Sequence, residues 1–213
     1  VLSYIHDTHE ETDQPILVSD FGGGTLDFSL LTKQGSQLNV IGNEGYALGG
    51  DIITEFLIRD YVFPRLGITD KNLAELKRRH NYLEEMIPDI LNWRTTYILN
   101  QPKFFKRIAD AGKLLPHGAE NLSRIRRLII QNYSYNVCYA VENAKKRLSD
   151  VPETEIDLEP IGIGFSLTRA DLEASMQNYL SSVERSLRTF CIKNGYRPEQ
   201  IGRVLLTGGT SLI

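Results

Sequence analysis

Short apolar runs, separated by glycine-rich or polar turns, dominate the first part of the chain. The runs at 15–18 and 28–31 flank three consecutive glycines, and a third run covers 37–42. Apolar runs of this length, bounded by turn residues, are typical of buried strands. We therefore predict an antiparallel β-hairpin from about Ile16 to Leu31, followed by a third strand at Gln37–Gly42.

Apolar residues then recur at helical spacing. The first predicted helix follows the Gly49-Gly50 turn, is capped by Asp51 and ends or kinks at Pro64. Helices separated by prolines fill 65–119, and a long helical pattern, in one or two pieces, covers 121–149. The middle of the chain is therefore predicted to be helical.

Strands return in the last part of the chain. Two are predicted at Glu155–Glu159 and Ile163–Leu167, and a capping box at Thr168–Asp171 opens a helix that ends at Gly195. A buried strand at 201–206 follows. Strands on both sides of the helices predict an α/β fold with an inserted, mainly helical subdomain.

The distribution of charge supports this division. The chain has 24 Lys and Arg against 27 Asp and Glu, a net charge of −3. Residues 64–136 alone carry 13 basic and 7 acidic residues, a balance of +6, whereas the remainder has a balance of −9. A shift of this kind indicates a separate subdomain. We predict a main domain of 1–63 with 137–213, and an inserted subdomain of 64–136.

Aromatic residues are interleaved with the basic residues of the insertion. They are Trp93, Tyr97, Phe104 and Phe105. Basic and aromatic side chains together can hold phosphates and stack bases. Their helical spacing, and the acidic residues mixed among the basic ones, favour instead a small helical core with a solvated basic face. We therefore expect no nucleic-acid partner.

Composition sets the remaining limits. No apolar run approaches the roughly 20 residues of a membrane span, so no membrane partner is expected. Cys138 and Cys191 lie in helical apolar patterns, which predicts buried, reduced thiols in a cytoplasmic protein. The chain begins without Met at Val1 and stops soon after a glycine turn, so we expect a fragment of a longer protein.

The hairpin tip carries the most informative chemistry. It reads Asp20-Phe21-Gly22-Gly23-Gly24-Thr25-Leu26-Asp27. Glycines without Cβ atoms let anionic oxygens approach successive backbone N–H groups. Asp20 and Asp27 bracket the tip and can hold a hydrated divalent cation, and Thr25 adds a hydroxyl. The tip is thus either a phosphate and metal site or an ordinary glycine hairpin.

Two further glycine pairs follow the same pattern. Gly49 and Gly50 precede a helix, where they either approach a phosphate or simply make a tight turn. Gly208 and Gly209 follow the last predicted strand. Ligands of α/β sheets bind at the carboxyl ends of strands, so this pair is a candidate ligand loop.

A compact polar face is predicted near the end of the long helical pattern. At about 100° per residue, Glu142, Lys145, Lys146 and Ser149 lie within a third of the helical wheel. A carboxylate, two ammonium groups and a hydroxyl could hold a ribose and a purine. The alternative is a solvated face of ion pairs.

Five motifs in this order resemble those of the DnaK-type heat-shock chaperone ATPases, within the actin/hexokinase-like superfamily. They are Asp20–Asp27, Leu48–Asp51, Glu142–Ser149, Leu167–Glu173 and Val204–Thr210. The chain is similar to lobe II of their nucleotide-binding domain, an actin-like (ribonuclease H-like) fold, with a divergent helical insertion. Within that group it also resembles the short DnaK-like proteins of the YegD type.

The resemblance implies ATP or ADP with Mg²⁺ as ligands. Gly22, Gly23, Gly24 and Thr25 match the second phosphate loop, and Gly49 and Gly50 match the turn beside it. Asp20 and Asp27 match the carboxylates near Mg²⁺ and the attacking water, which makes them, with Thr25, the catalytic candidates. Glu142, Lys145, Lys146 and Ser149 match the adenosine-binding helix, and Gly208 and Gly209 match the adenosine loop.

The sequence departs from the pattern of this family at several points. Lys146 and Leu212 stand where the family usually has arginines against the adenine, which implies a more apolar contact or a looser base preference. The helical insertion is also longer than usual, which argues against a fit to the usual nucleotide-exchange partners. The first phosphate loop and the hydrolytic lysine belong to lobe I of this family and are not in this chain.

These absences set the expected activity and partners. We expect weak nucleotide binding and negligible hydrolysis from this chain alone, and ATPase activity from the intact protein. Lobe I and client or co-chaperone proteins are the implied partners. An actin-like cytoskeletal or scaffold ATPase and a sugar-kinase relative are the alternatives.

Overall fold

The computed structural model describes residues 14–35, 37–115 and 118–212. The start of the chain, Val1–His6, whose pattern resembles the end of a helix, lies outside these ranges. The strands are β1 (Ile16–Phe21), β2 (Leu26–Gln34), β3 (Gln37–Tyr46), β4 (Glu153–Leu158), β5 (Ile163–Thr168) and β6 (Arg203–Thr207). The helices are α1 (Gly50–Leu57), α2 (Asp70–Arg78), α3 (Ile87–Leu91), α4 (Pro102–Leu114), α5 (Gly118–Ile130), α6 (Ser134–Arg147) and α7 (Arg169–Lys193).

The chain forms two compact units. The first contains 1–53 and 176–213, and the second contains 54–175. The second unit includes the predicted insertion of 64–136 and extends beyond it on both sides. Together the elements form an α/β protein, as the sequence predicts.

The first unit is built on a mixed sheet with the strand order β3-β2-β1-β6. β1 pairs antiparallel with β2, and β2 pairs antiparallel with β3, whereas β6 is parallel to β1. The predicted hairpin and third strand are confirmed. The predicted end of β3 at Gly42 is wrong, because the strand passes a bulge opposite Leu30 and Leu31 and pairs as far as Tyr46. Gly42 and Gly45 therefore lie within this strand.

One face of that sheet packs against the end of α7. Leu17, Leu26, Phe28 and Leu30 form a buried cluster with Phe190 and Cys191. The rings of Phe28 and Phe190 lie 5.6 Å apart. The alternating apolar residues of β1 and β2 therefore fix which side chains point away from α7, among them Asp20 and Asp27.

The second unit combines helices with the β4–β5 hairpin. Its core consists largely of leucine and isoleucine, including Leu66, Leu83, Ile125 and Leu128. The long helical pattern is confirmed as two helices, α5 and α6, separated at Asn132, whose φ is +52°. The left-handed conformation of this residue ends one helix before the next begins.

The predicted capping box at the start of α7 is confirmed. The Thr168 N–H donates to Asp171 at 2.9 Å, and the Asp171 N–H donates to the Thr168 hydroxyl at 3.2 Å. The Tyr61 hydroxyl also donates to Asp171, at 3.1 Å. Burial, together with this carboxylate, raises the pKa of Tyr61 to about 12. The capping aspartate thereby ties the start of α7 to Tyr61, which follows α1 in the chain.

The predicted aromatic core of the insertion is wrong. Trp93 is 38% exposed and Tyr97 is 67% exposed, while Phe104 and Phe105 are only partly buried. Aliphatic side chains fill the interior instead, so these rings are left at the surface. Both cysteines are predicted to be buried. Cys191 is buried, whereas Cys138 is partly exposed.

Within the described ranges, none of the helices combines the length and the apolar character that crossing a membrane requires.

Candidate functional site

The glycine tip connects β1 and β2. The loop Gly22–Thr25 is closed by a hydrogen bond of 2.9 Å from the Gly22 N–H to the Thr25 carbonyl. Gly23 and Gly24 are exposed, and neither has a positive φ. Among the described residues, their two N–H groups have no hydrogen-bond acceptor. These glycines therefore provide two adjacent accessible donors rather than a special backbone conformation.

The Gly49-Gly50 turn packs directly against this tip. The N–H groups of Gly50 and Asp51 donate to the carbonyls of Gly22 and Gly23 at 3.0 and 2.7 Å. A Cβ atom on Gly49 would overlap the backbone of Gly23 and Gly24. The absence of a side chain at Gly49 is therefore what permits the contact.

The same contact changes the predicted role of Asp51. This residue lies within the first turn of α1, which begins at Gly50, so the prediction that it caps the helix is wrong. Its carboxylate faces the tip, 3.8 Å from the position that a Cβ atom on Gly23 would occupy. The start of α1 thus adds a negative charge beside the glycines, and two of its donors are already used by the tip.

The loop after β6 also packs against the tip. Gly208 has a φ of +87°, and a Cβ atom there would overlap the Phe21 carbonyl and the Asp20 carboxylate. The Thr210 hydroxyl donates to the Gly22 carbonyl at 3.0 Å. Gly209, by contrast, is exposed, with open space where its side chain would be. Three glycine turns that are distant in sequence therefore meet at one end of β1.

Two carboxylates lie side by side at the base of the tip. Asp20 and Asp27 are paired directly across β1 and β2, so their side chains lie on the same face. The Thr25 hydroxyl donates to Asp27 at 2.9 Å. Gly45 lies opposite Asp27, and a Cβ atom there would come within 2.6 Å of the Asp27 carboxylate. Like charges in this arrangement are destabilising unless a cation neutralises them.

Metal coordination by protein side chains alone is not supported. In the part of the chain that the structure describes, no group of three or more His, Cys, Asp or Glu side chains could hold a metal ion. Mg²⁺ commonly takes only one or two carboxylates and completes its coordination with phosphates and water. Asp20 and Asp27 fit that second arrangement.

Tyr179 is a supporting residue that the sequence did not reveal. Its hydroxyl donates to the carbonyl of Leu48 at 2.9 Å, immediately before the Gly49-Gly50 turn. Burial raises the pKa of this side chain. An isolated tyrosine on a helix has no local signal that it anchors a turn more than a hundred residues away.

The polar face of α6 forms a closed network in the second unit. Glu142 accepts hydrogen bonds of 2.5 Å from both the Lys145 ammonium and the Thr54 hydroxyl. Lys145 also donates to the Thr54 hydroxyl at 3.1 Å. The Lys145 side chain is only 1% exposed. Its charge is therefore held inside the protein and compensated there.

The pKa of Glu142 reflects two opposed effects. Burial raises this pKa, whereas the hydrogen bonds from Lys145 and Thr54 and the nearby charge lower it. The net result lies below the ordinary value for a glutamate. Thr54 was missed in the sequence because nothing local relates it to Glu142, 88 residues further along the chain.

The other two predicted residues of this face are more accessible. Lys146 is 65% exposed and lies 3.3 Å from Glu142. Ser149 lies just beyond the end of α6 and is partly buried, and its carbonyl accepts a hydrogen bond from Arg169 at 3.1 Å. The face is therefore neither fully solvated nor fully open, since its central lysine is enclosed.

The structure thus brings the predicted residues together in two groups. The tip, both further glycine pairs and the two aspartates lie in the first unit, whereas Glu142, Lys145, Lys146 and Ser149 lie in the second. That both groups serve one nucleotide stays a prediction. Comparison of the chain with protein-family models finds none that matches.

Proposed function

We propose that this chain is the ATP-binding and ATP-hydrolysing lobe of a DnaK-like molecular chaperone with an actin-like fold. The observation that carries the proposal is the meeting of three glycine turns at one end of β1. Each turn depends on a missing Cβ atom or on an exposed backbone donor. Such a cradle beside paired carboxylates suits a phosphate chain with a bound cation.

The free donors of the tip are assigned to phosphate oxygens. Gly23 and Gly24 present adjacent N–H groups without acceptors among the described residues, and charge strengthens their hydrogen bonds to an anion. Asp20 and Asp27 would hold hydrated Mg²⁺. Thr25, which already orients Asp27, would help to position the attacking water. Phosphoryl transfer needs little more than such positioning and charge.

The charge at the tip makes the cation necessary. The Asp51 carboxylate lies beside Gly23 and Gly24, and the Asp20–Asp27 pair lies at the base of the tip. These three negative charges would repel a bare phosphate. Mg²⁺ between the carboxylates and the phosphates reverses the sign of this interaction. Nucleotide binding by this chain should therefore depend strongly on Mg²⁺.

Recognition of the nucleoside rests on the resemblance to the chaperone ATPases. Glu142, Lys146 and Ser149 are assigned to the ribose and purine, together with Gly209 of the exposed loop after β6. Lys145 is assigned a supporting role because its ammonium is enclosed between Glu142 and Thr54. It holds the Glu142 carboxylate in place rather than contacting the ligand.

Isothermal titration calorimetry with ADP tests the proposal. We expect saturable binding in the presence of Mg²⁺ and at least about tenfold weaker binding with EDTA. Gly24→Ala should weaken Mg²⁺-ADP binding about tenfold, because a methyl group restricts access to the N–H groups. The site has room for this methyl group, whose nearest neighbour lies 4.0 Å away, so the fold should persist.

Gly164→Ala is the matched control, since it adds the same methyl group to β5 with its nearest neighbour at 3.9 Å. It should leave ADP binding unchanged. Equal affinity with and without Mg²⁺, or equal loss from both variants, would overturn the proposal. Phosphate-release assays should show negligible turnover by this chain alone, because the resemblance places half of the catalytic groups on lobe I.

A further inference from the structure

The second unit carries an exposed aromatic surface that the proposed function does not use. Trp93 contacts Tyr135 edge to face at 5.4 Å, and Tyr135 stacks on Tyr139 at 6.0 Å. The guanidinium of Arg94 lies 4.5 Å from the Trp93 ring centre. Tyr135 and Tyr139 are 50% and 58% exposed. We call Trp93, Arg94, Tyr135 and Tyr139 the aromatic ladder.

The ladder lies where two basic stretches of the chain meet. Residues 90–109 and 121–141 contain seven lysines and arginines and no acidic residue. The stretches meet again where Arg126 lies 5.5 Å from the Phe105 ring centre. Of the seven cations, Arg107 and Arg124 form ion pairs. The other five have no acidic partner within the described ranges: Arg94, Lys103, Lys106, Arg126 and Arg127.

We propose that the aromatic ladder and its surrounding cations bind an acidic protein segment that also carries apolar side chains. Carboxylates of the segment would pair with Arg94 and its basic neighbours, and apolar side chains would pack on Trp93, Tyr135 and Tyr139. Exposed tryptophan, tyrosine and arginine are the residues that most often dominate protein–protein binding energy. Bidentate carboxylate binding also suits the guanidinium of Arg94.

The packing of the ladder favours a protein segment over single-stranded nucleic acid. Arg94 already lies over the Trp93 ring, and Tyr135 and Tyr139 stack on each other, whereas bases need open ring faces. Apolar side chains of a peptide can instead pack against the ring edges and the remaining exposed ring surface.

Intrinsic fluorescence gives a direct test, because Trp93 is the only tryptophan in the chain. The probe is a peptide of about 12 residues made of Asp, Glu and Leu, which contributes no signal of its own. We expect saturable quenching or a spectral shift when the peptide is titrated into the 213-residue chain. A peptide with Lys in place of every Asp and Glu should give no saturable change.

Substitutions locate the binding. Arg94→Gln should weaken peptide binding about tenfold, and Tyr135→Ala by at least as much. Lys71→Gln removes one positive charge from an exposed position on α2 that has no ion pair among the described residues, and it should change the Kd less than twofold. Circular dichroism checks folding; if Tyr135→Ala unfolds the chain, Arg94→Gln and Tyr139→Ala decide the result.

Three outcomes would overturn the proposal. The first is no saturable signal with the acidic peptide. The second is an equal response to Arg94→Gln and Lys71→Gln. The third is tighter binding of an oligothymidylate of about 12 nucleotides with the same dependence on the ladder, which would assign the surface to nucleic acid.

Discussion

The glycine tip and the polar face of α6 differ in how their polar groups are satisfied. At the tip, glycines let three backbone segments approach one another, and two N–H groups remain exposed without acceptors among the described residues. On α6, Glu142, Lys145 and Thr54 satisfy one another, and the lysine is enclosed. The first region has unused hydrogen-bonding capacity, whereas the second has little.

This difference separates ligand binding from scaffolding. A ligand at the tip would gain hydrogen bonds that the protein does not already make, which is what the proposed phosphate site requires. A ligand at α6 would have to compete with the internal partners of Lys145 or use only Lys146 and the exposed part of Glu142. We therefore expect substitutions at the tip to act on binding unless they collide with backbone, and those at the α6 network to act on stability.

The largest expected effect is that of Gly49→Ala. The added methyl group would overlap the backbone of Gly23 and Gly24, and backbone cannot move aside as a side chain can. We expect a loss of about 3 kcal/mol or more in the free energy of unfolding, measured with urea, together with loss of Mg²⁺-ADP binding. Gly23→Ala has ordinary space and should stay within about 0.5 kcal/mol of the wild type. Equal effects from the two would contradict the packed turn.

Glu142→Gln should cause the second-largest loss in the free energy of unfolding. It leaves the Lys145 ammonium, which is 1% exposed, without its carboxylate, and an uncompensated buried charge costs about 3 kcal/mol. Chemical denaturation measures this loss. Lys146→Gln is the control, because Lys146 is 65% exposed and its ion pair should contribute under about 0.5 kcal/mol.

A double variant sharpens this result. Glu142→Gln combined with Lys145→Met removes both charges, so the double variant should be at least about 1 kcal/mol more stable than Glu142→Gln alone. The reason is that the penalty belongs to the buried charge and not to the missing contact. If the double variant were less stable than Glu142→Gln alone, the buried Lys145 charge would not be the cause of the loss.

The network around Glu142 should also make the stability of the protein depend on pH. The pKa of Glu142 is lowered in the folded protein, so its contribution is complete above the unfolded value of about 4.5 and is lost as pH falls through the folded pKa. Wild type should therefore lose stability below about pH 4.5 more steeply than Glu142→Gln. Thermal unfolding at several pH values measures the two slopes, and parallel curves would exclude this contribution.

Thr25→Ala should have the smallest effect. It removes one exposed hydrogen bond to Asp27, so stability should change by less than about 0.5 kcal/mol. Mg²⁺-ADP affinity should fall about threefold, because Asp27 loses the donor that orients it. Calorimetry with the variant checks this, and an unchanged affinity would separate Thr25 from the proposed metal site.

Much of the fold was accessible from the sequence because it depends on local patterns. The hairpin, the strands β4 to β6, the two-piece helix at α5 and α6 and the capping box of α7 all follow from periodicity and from turn or cap residues. The errors have local causes too. The third strand is predicted to end at Gly42, although β3 continues through Gly42 and Gly45 to Tyr46. The exposed Trp93 and Tyr97 have the same helical spacing as core residues.

The sequence by itself determined which residues have the chemistry of a phosphate and metal site, since glycines, aspartates and a threonine can be read directly. Only the tertiary structure decided that Gly49 and Gly208 pack against the tip, that Tyr179 and Thr54 support the two regions, and that Lys145 is enclosed. Periodicity fixes the face of a helix or strand on which a residue lies. It carries no information about which distant residue faces it, because that depends on how the whole chain packs.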